Sequence, residues 1–404
     1  MFTRRRKLPF KSILQLILRK SVKPLQLVLN EWTDTLDYEI SASALTQARR
    51  NLKHTAFIEL LEECVVKVIY SSDDYQKYKG HRLLAVDGTS LRLPTTPELS
   101  EKFGLIVHLN GSKQRASNQV EAKATILYDV LNEIPISAEL LPGRTNDLKA
   151  CQGQLEHLNK GDILIADRAY GSYRFFADII ASNGNFIIRC KEKTFERYHE
   201  LFQSSNAKEK TVELDAPAKI MKKGNVPAKL QVRFVRVELD SGEVEVLATS
   251  LLDKRLYPHR EFKKLYHMRW GIETYFHTLK SRLSIDNFSG KTFNAILQDF
   301  YATIFVSGLE TIITAPINEE LSKTNSKYRR RVNKAIAFHT IKNKIIKMVF
   351  DPQPDDQEKI ERLFLQNPNL IRPDREKPPR IASTSDNKTR NSLYFQRYAR
   401  KHVF

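Results

Sequence analysis

The chain has little cysteine. Cys64, Cys151 and Cys190 are the only three in 404 residues, and they lie far apart. Without paired spacing they cannot supply a four-thiolate zinc site, and they give no disulfide framework, so a reducing cytoplasm is expected. Ten histidines are scattered without ligand spacing, which weighs against a histidine metal centre. There is no glycine-rich phosphate loop, no Ser/His/Asp set and no Cys/His pair. Long apolar runs are also missing: the stretch from Ala302 to Ala315 contains Glu310 and is too short to cross a bilayer. At the start, Arg4, Arg5, Arg6 and Lys7 precede an apolar run from Ile13 to Leu18. Gln15 interrupts that run, Arg19 and Lys20 close it, and no small-residue cleavage site follows, so it does not read as a signal peptide. A soluble protein with no membrane partner is expected.

Acidic residues are in deficit. Lys and Arg number 66 against 47 Asp and Glu, a formal charge of +19 and a pI near 9.6. The apolar fraction of 41% and charged fraction of 28% are those of an ordinary globular protein, which excludes a mostly disordered chain or a fibrous repeat. Charge of this sign points to a polyanionic partner, nucleic acid or an anionic membrane surface. Basic candidates for such contacts are the N-terminal arm, Lys222-Lys223, Arg329-Arg330-Arg331, and Arg397, Arg400 and Lys401 near the end. Any one such run is more often a solvated surface than a binding site.

Periodicity divides the chain. Helices are expected over about 24–36, from Ser41 to Arg50 with Ser41 as cap, and over 57–70. Gln47, Arg49 and Arg50 leave two readings open: a helix-turn-helix-like DNA reader, or a helical lid packed on the main domain. From His81 the pattern turns to strands. Leu83 to Val86 is an apolar run ending at Asp87. Ala122–Val130 and Ile134–Leu141 read as a hairpin, and Asp162–Ala166 as a buried strand stopping at Asp167. Helices over 147–158 and 173–182 and a strand over 185–190 complete a mixed α/β block. Residues 191–255 read as a β-rich insertion, with a hairpin across Asp240-Ser241-Gly242. One long helix is expected from Pro258 to about Leu283, then helices over 294–350, and a loose Pro-, Asn- and Arg-rich tail after Asp351.

The helix after Pro258 carries a candidate site. Tyr266, Arg269, Glu273 and Lys280 fall at offsets of 0, 3, 7 and 14, within an arc of about 60° on one helical face. A hydroxyl, a guanidinium and an ammonium flanking a carboxylate suit phosphates beside a metal, although a solvated face with ordinary ion pairs fits the same spacing. Asp87 and Asp167 each end an apolar strand, at the sheet rim where α/β proteins form ligand sites. Together with Glu273 they make three oxygen ligands suited to a pair of Mg²⁺ ions, with Mn²⁺ as a substitute, for in-line phosphoryl displacement.

The stretch Tyr-His-Met-Arg-Trp-Gly-Ile-Glu-Thr-Tyr-Phe-His-Thr-Leu-Lys, residues 266–280, resembles the Y-x2-R-x3-E-x6-K signature of bacterial insertion-sequence DDE transposases of the IS-four group. Val86-Asp87-Gly88-Thr89-Ser90 and Ala166-Asp167-Arg168-Ala169-Tyr170 resemble that family's other acidic blocks, in the correct order over about 80–290. The resemblance implies a ribonuclease-H-like mixed sheet with a β-rich insertion and helical N- and C-terminal regions. It divides the chain into a helical DNA-binding region (1–78), the first part of the catalytic domain (79–190), the insertion (191–256), a catalytic helix segment (257–290), a helical region (291–350) and a basic flexible tail (351–404).

Carried over residue by residue, Asp87, Asp167 and Glu273 would be the catalytic, metal-binding triad. Tyr266, Arg269, Lys280 and Arg168 would hold DNA phosphates. The implied partners are double-stranded DNA, as transposon ends and target, and a second copy of the chain in the end complex. The implied location is bacterial cytoplasm, at the nucleoid. Some members flip a base onto a tryptophan in the insertion. Here the tryptophans are Trp32 and Trp270, neither of them there, which leaves Phe234 or Tyr257 as substitutes. Two other readings are a catalytically silent DNA-binding derivative of the same fold and a general nuclease. Intact acids favour the transposase over the first, and substrate choice separates it from the second.

Overall fold

The computed structural model describes residues 8–34, 39–109, 116–192, 199–203, 207–221, 224 and 226–372. The basic stretches at 1–7, 222–223 and 397–401, and the part of the expected tail beyond 372, lie outside the described residues. The chain divides into two compact units. One takes residues up to Val65, Leu93–Lys102 and the chain from Thr278 onward, and the other takes Val66–Arg92 and Phe103–His277.

The second unit is organised by a nine-stranded mixed sheet. Its strands are β1 (Leu83–Leu93), β2 (Leu105–Leu109), β3 (Ala116–Asp129), β4 (Ile134–Pro142), β5 (Ile163–Ala166), β6 (Asn185–Arg189), β7 (Glu209–Asp215), β8 (Lys229–Glu238) and β9 (Val244–Thr249). The spatial order is β2-β3-β1-β5-β6-β9-β8-β7, with β4 also paired to β3. β3 and β4 form the expected antiparallel hairpin, turning at Glu133, a non-glycine residue with φ 55°. β1, β5 and β6 run parallel. Parallel strands are covered on both faces and read as unbroken apolar runs, which is why Leu83–Val86 and Ile163–Ala166 show no alternation and are fully buried. This is the expected mixed α/β arrangement, with helices before and after the sheet.

The β-rich segment extends this same sheet. β9 pairs antiparallel with β6, β8 with β9, and β7 with β8. Its buried Arg233 is paired with Glu209 at 2.5 Å and donates to the carbonyls of Leu251 and Tyr257 at 3.2 and 2.7 Å. One apolar cluster joins β1 and β5 to this segment and to the helix that follows, through Leu83, Ile165, Ile187, Val235, Leu247, Phe262 and Leu265.

The long helix expected after Pro258 is broken. A 3-10 turn His259–Glu261 leads into helix Phe262–His267, and a separate helix spans Trp270–Ser281. At the junction the amides of Arg269, Gly271 and Ile272 reach back three residues, to Tyr266, Met268 and Arg269. Such bonds tighten the winding locally, and hydrophobic spacing, which continues through the break, does not register the change.

The first unit is helical, with Phe10–Leu18, Leu25–Thr33, Ala42–Arg49 and Thr55–Leu61 from the N-terminal side. Ser41 caps the third, accepting from the amide of Ala44 at 3.1 Å. The helix Phe293–Ser322 is long and apolar enough to cross a membrane, but 61% of its apolar window is buried within the protein, and its buried polar side chains are satisfied internally. Two expectations change here. Arg49 is buried rather than available to DNA, donating to Gln298 at 2.7 Å, Ser289 at 2.8 Å and Asp299 at 2.9 Å. After Asp351 the chain forms a helix, Asp356–Gln366, and then β11 (Pro368–Ile371), which pairs antiparallel with β10 (Arg329–Val332). The three arginines of 329–331 are thus part of a strand.

Arg49→Ala is expected to destabilise the protein by about 3 kcal/mol, because Asp299 is left buried without its counter-charge. A denaturant midpoint equal to that of the wild type would show that Arg49 has no such structural role.

Candidate active site

The register of the parallel strands sets the site. Leu83 pairs with Ile163, Leu84 with Leu164 and Ala85 with Ile165. Asp87 does not end its strand as the apolar run suggests, since β1 continues to Leu93. Two residues past the last β1–β5 pair, Asp87 within β1 and Asp167 just after β5 stand at the same level, on backbones about 5 Å apart. On the other side Ala166 pairs with Ile188, so Arg189 stands at the next position beside Asp167. Carboxyl ends of parallel strands are where an α/β sheet opens to ligands.

Asp87 and Asp167 are half-buried. Asp87 accepts the amide of Gly88 at 2.8 Å, and Asp167 accepts that of Ala169 at 2.7 Å, a local turn that holds its carboxylate over the strand end. Burial raises the Asp87 pKa to about 6. The Gly88 amide and Arg269 oppose this, and the charges of Asp167 and Glu273 add to it. The charges of Asp167 and Glu273 are therefore both felt at Asp87. Glu273 lies in the first turn of the helix Trp270–Ser281 and is paired with Arg269 at 2.7 Å.

Arg269 is buried, and its Nε hydrogen has no acceptor. Its guanidinium lies 5.1 Å from the centre of the Trp270 ring, and Trp270 is 53% exposed. Tyr266 is buried in the apolar cluster, and burial raises its hydroxyl pKa. Arg168 is exposed. Lys280 belongs to the other unit, where burial lowers its ammonium pKa against the pull of Asp286.

Among the described residues, no three His, Cys, Asp or Glu side chains are arranged to hold one metal ion. Glu273 faces Arg269, a cation that offsets part of the charge collected at the rim. The donor chemistry nevertheless fits a hard divalent cation: three carboxylates, with the proton affinity of Asp87 raised first by burial and further by the charges of the other two. His277 is exposed. Phe234 and Tyr257, the substitutes for an insertion tryptophan, are buried at 0% and 6% exposure, and the Tyr257 hydroxyl is bonded to His81 at 2.9 Å. Neither can stack on a base.

Two pairs near the rim escape sequence reasoning. Arg189 bonds Glu245 of β9 at 2.8 Å, which ties the insertion to the row of Asp87 and Asp167. Lys123 on β3 bonds Asp147 at 2.6 Å, and both flank Gly88, where an added Cβ would lie 3.7 Å from Lys123 Cδ and 3.8 Å from Asp147 Oδ1. Neither pair is visible without the strand register, because its members are separated by 56 and 24 residues.

The family described as transposase DDE domain matches residues 78–309, more than half of the chain. The sheet, its carboxylate rim and this match define a nuclease-like enzyme of the transposase class. The chain belongs to the DDE-domain transposases. No curated protein sequence matches it. Among solved structures it is similar to a piggyBac transposase in a synaptic complex with hairpin DNA, at 12% identity over 94% of this chain and 79% of that one, with a TM-score of 0.43.

In metal-free protein, the raised Asp87 pKa has a defined sign. Between the ordinary aspartate range and about pH 6, the folded chain keeps a proton that the unfolded chain releases, so stability falls as pH rises through that window. Asp87→Asn removes this effect. It is expected to stabilise the chelator-treated protein by at most about 2–3 kcal/mol at about pH 8, with the gain gone below about pH 4. Denaturant melts of both proteins at the two pH values decide it, and a pH-independent difference would show that Asp87 is not desolvated.

Proposed function

We propose that this chain is a bacterial insertion-sequence transposase of the IS-four group, carrying the Tyr266, Arg269, Glu273, Lys280 signature. It binds the terminal inverted repeats of its own element as double-stranded DNA, cleaves a strand at each end, and joins the freed 3′-hydroxyl to target DNA. The observation that carries this reading is the register of β1 and β5, which brings Asp87 level with Asp167 in the unit that holds Glu273.

Asp87, Asp167 and Glu273 would hold two Mg²⁺ ions, or Mn²⁺ in their place, which supply Lewis acidity and an activated oxygen nucleophile for in-line displacement. Arg269 donates to Glu273 and has a second N–H free for a phosphate oxygen. Arg168 is exposed beside Asp167 and meets the DNA backbone. Tyr266 supports Arg269 from the core, with its ring 5.8 Å from the guanidinium. Lys280 supplies a further phosphate contact. The net charge of +19 suits a partner with one negative charge per phosphate, and binding should weaken steeply with salt. The helical N-terminal region 1–78 contributes to end recognition, two copies assemble on a pair of ends, and the protein works at the nucleoid in the cytoplasm.

The test is incubation with duplexes bearing the flanking inverted repeats and Mg²⁺, with products read on a denaturing gel. Wild type is expected to nick at the repeat end. Asp167→Ala and Glu273→Ala should bind the same duplex within about threefold of wild type while nicking falls below detection, because losing a metal ligand stops chemistry more than charge-driven docking. Normal nicking by Glu273→Ala would overturn the assignment. End binding by wild type with no Mg²⁺-dependent product would make the chain a catalytically silent derivative of the fold. Equal cleavage of unrelated duplexes would make it a general nuclease.

Arg269→Ala should weaken end binding by about tenfold, the range of one charge-assisted hydrogen bond. An unchanged affinity, measured by anisotropy at two salt concentrations, would leave Arg269 a structural partner of Glu273 only.

A further inference from the structure

The helical unit contains a cavity of about 620 Å³, lined from the N-terminal helices, from residues between 281 and 287 where the helix bearing Glu273 ends, and from residues between 335 and 343. Its volume is in the range of small-ligand sites. Arg19, Lys20, Lys23, Arg282 and Lys342 line it, with Glu31 as the single acid. Glu31 lies 2.5 Å from Lys23 and 3.9 Å from Arg19, so its charge is already engaged.

Three cations remain. Lys20 is buried and donates to the carbonyls of Ser284 and Ile285 at 3.3 Å and to the Thr303 hydroxyl at 3.4 Å. Lys342 donates to the carbonyl of Lys20 at 2.8 Å. These neutral acceptors hold the two ammonium groups without cancelling their charge. Burial lowers the Lys20 pKa to about 8, although Asp299 and Asp286 pull the other way. Burial and the charge of Lys20 together lower that of Lys342 to about 7. Arg282 is exposed on the cavity wall, and its guanidinium has no partner among the described residues.

The backbone supplies an independent sign. Between helices Lys334–Thr340 and Ile346–Phe350, residues Ile341–Ile345 are wound as a π-turn. Wide turns of this kind are rare and concentrate at functional sites. This one places the consecutive residues Lys342 and Asn343 in the cavity wall together.

We propose that this cavity is a phosphate-binding site, taking a phosphate mono- or diester group from either a free polyphosphate or a nucleic-acid backbone. An anion here adds counter-charge beside Lys20 and Lys342, whose hydrogen-bond acceptors described above are neutral. The planar fork of Arg282 offers paired donors to phosphate oxygens. The inference makes no use of the three rim carboxylates and stands whether or not they cut DNA.

The experiment uses the full chain, with pyrophosphate binding followed by calorimetry and binding of a short labelled duplex followed by anisotropy. The proteins compared are wild type, Arg282→Glu, Lys342→Met and, as a charge-matched control, Lys359→Glu, whose side chain is exposed on the helix Asp356–Gln366. Arg282→Glu is expected to weaken at least one probe by about tenfold or more, while the control stays within about twofold of wild type. Loss of pyrophosphate binding alone identifies a free polyphosphate as the occupant. Loss of duplex binding identifies the nucleic-acid backbone, with pyrophosphate then competing for the duplex. Lys342→Met should act in the same direction. Should it fail to fold, the exposed Arg282 still gives the answer. If Arg282→Glu changes neither probe more than Lys359→Glu does, the proposal is wrong.

Discussion

Everything at the candidate active site depends on the alignment of two neighbouring parallel strands. β1 and β5 are buried on both faces and pair without a bulge from Leu83 to Ala85. A slip of one residue would turn their apolar side chains away from the layers that cover them and move one aspartate off the level of the other. The same packing that stabilises the centre of the sheet therefore fixes where two negative charges emerge. Holding Asp87 half-buried beside other acids has a cost, visible in a proton affinity raised first by burial and then by the neighbouring charges. The protein meets part of that cost with Arg269, held between Glu273 and the Trp270 ring.

Arg269 has two roles that pull in different directions. As a buried cation it needs a counter-charge, and Glu273 is the one within reach. As a residue of the proposed DNA-binding face it needs an unmet donor, and its Nε provides one. The tightened turn at 268–269 reconciles the two: it separates Phe262–His267, which packs in the core through Phe262, Leu265 and Tyr266, from the helix bearing Glu273. The ring of Tyr266 is consequently a support for the guanidinium as much as a surface in its own right.

Local pattern revealed a good part of this. The apolar runs that meet Asp87 and Asp167 are legible in the sequence, although β1 continues past Asp87 to Leu93 and only β5 stops before its acid. The β3–β4 and β8–β9 hairpins are legible by their turn residues. The helix cap at Ser41 follows from the serine preceding an apolar period. What stayed hidden depends on contacts between distant residues. Arg49 looks like a surface cation of an amphipathic helix until Asp299, 250 positions away, is seen to face it. The pairing of Arg189 with Glu245 needs the antiparallel register of β6 and β9. The break after His267 leaves the hydrophobic period undisturbed, because a short run of three-residue hydrogen bonds rotates the following helix only modestly. The helix Asp356–Gln366 was obscured by the prolines and charges on either side of it.

The way the β-rich segment joins the sheet has a consequence for how such a protein can change. Because β9 is hydrogen-bonded directly to β6, the segment covers what would otherwise be an open row of backbone donors and acceptors beside the parallel core. Trimming the chain between Cys190 and Tyr257 would uncover that sticky border and strip Arg189 of its partner. Shortening in this lineage should therefore spare β9 and also β8, whose Val235 packs with Leu83 and Ile165. It should fall on the outermost strand, β7, together with the charge of Arg233 that its Glu209 balances.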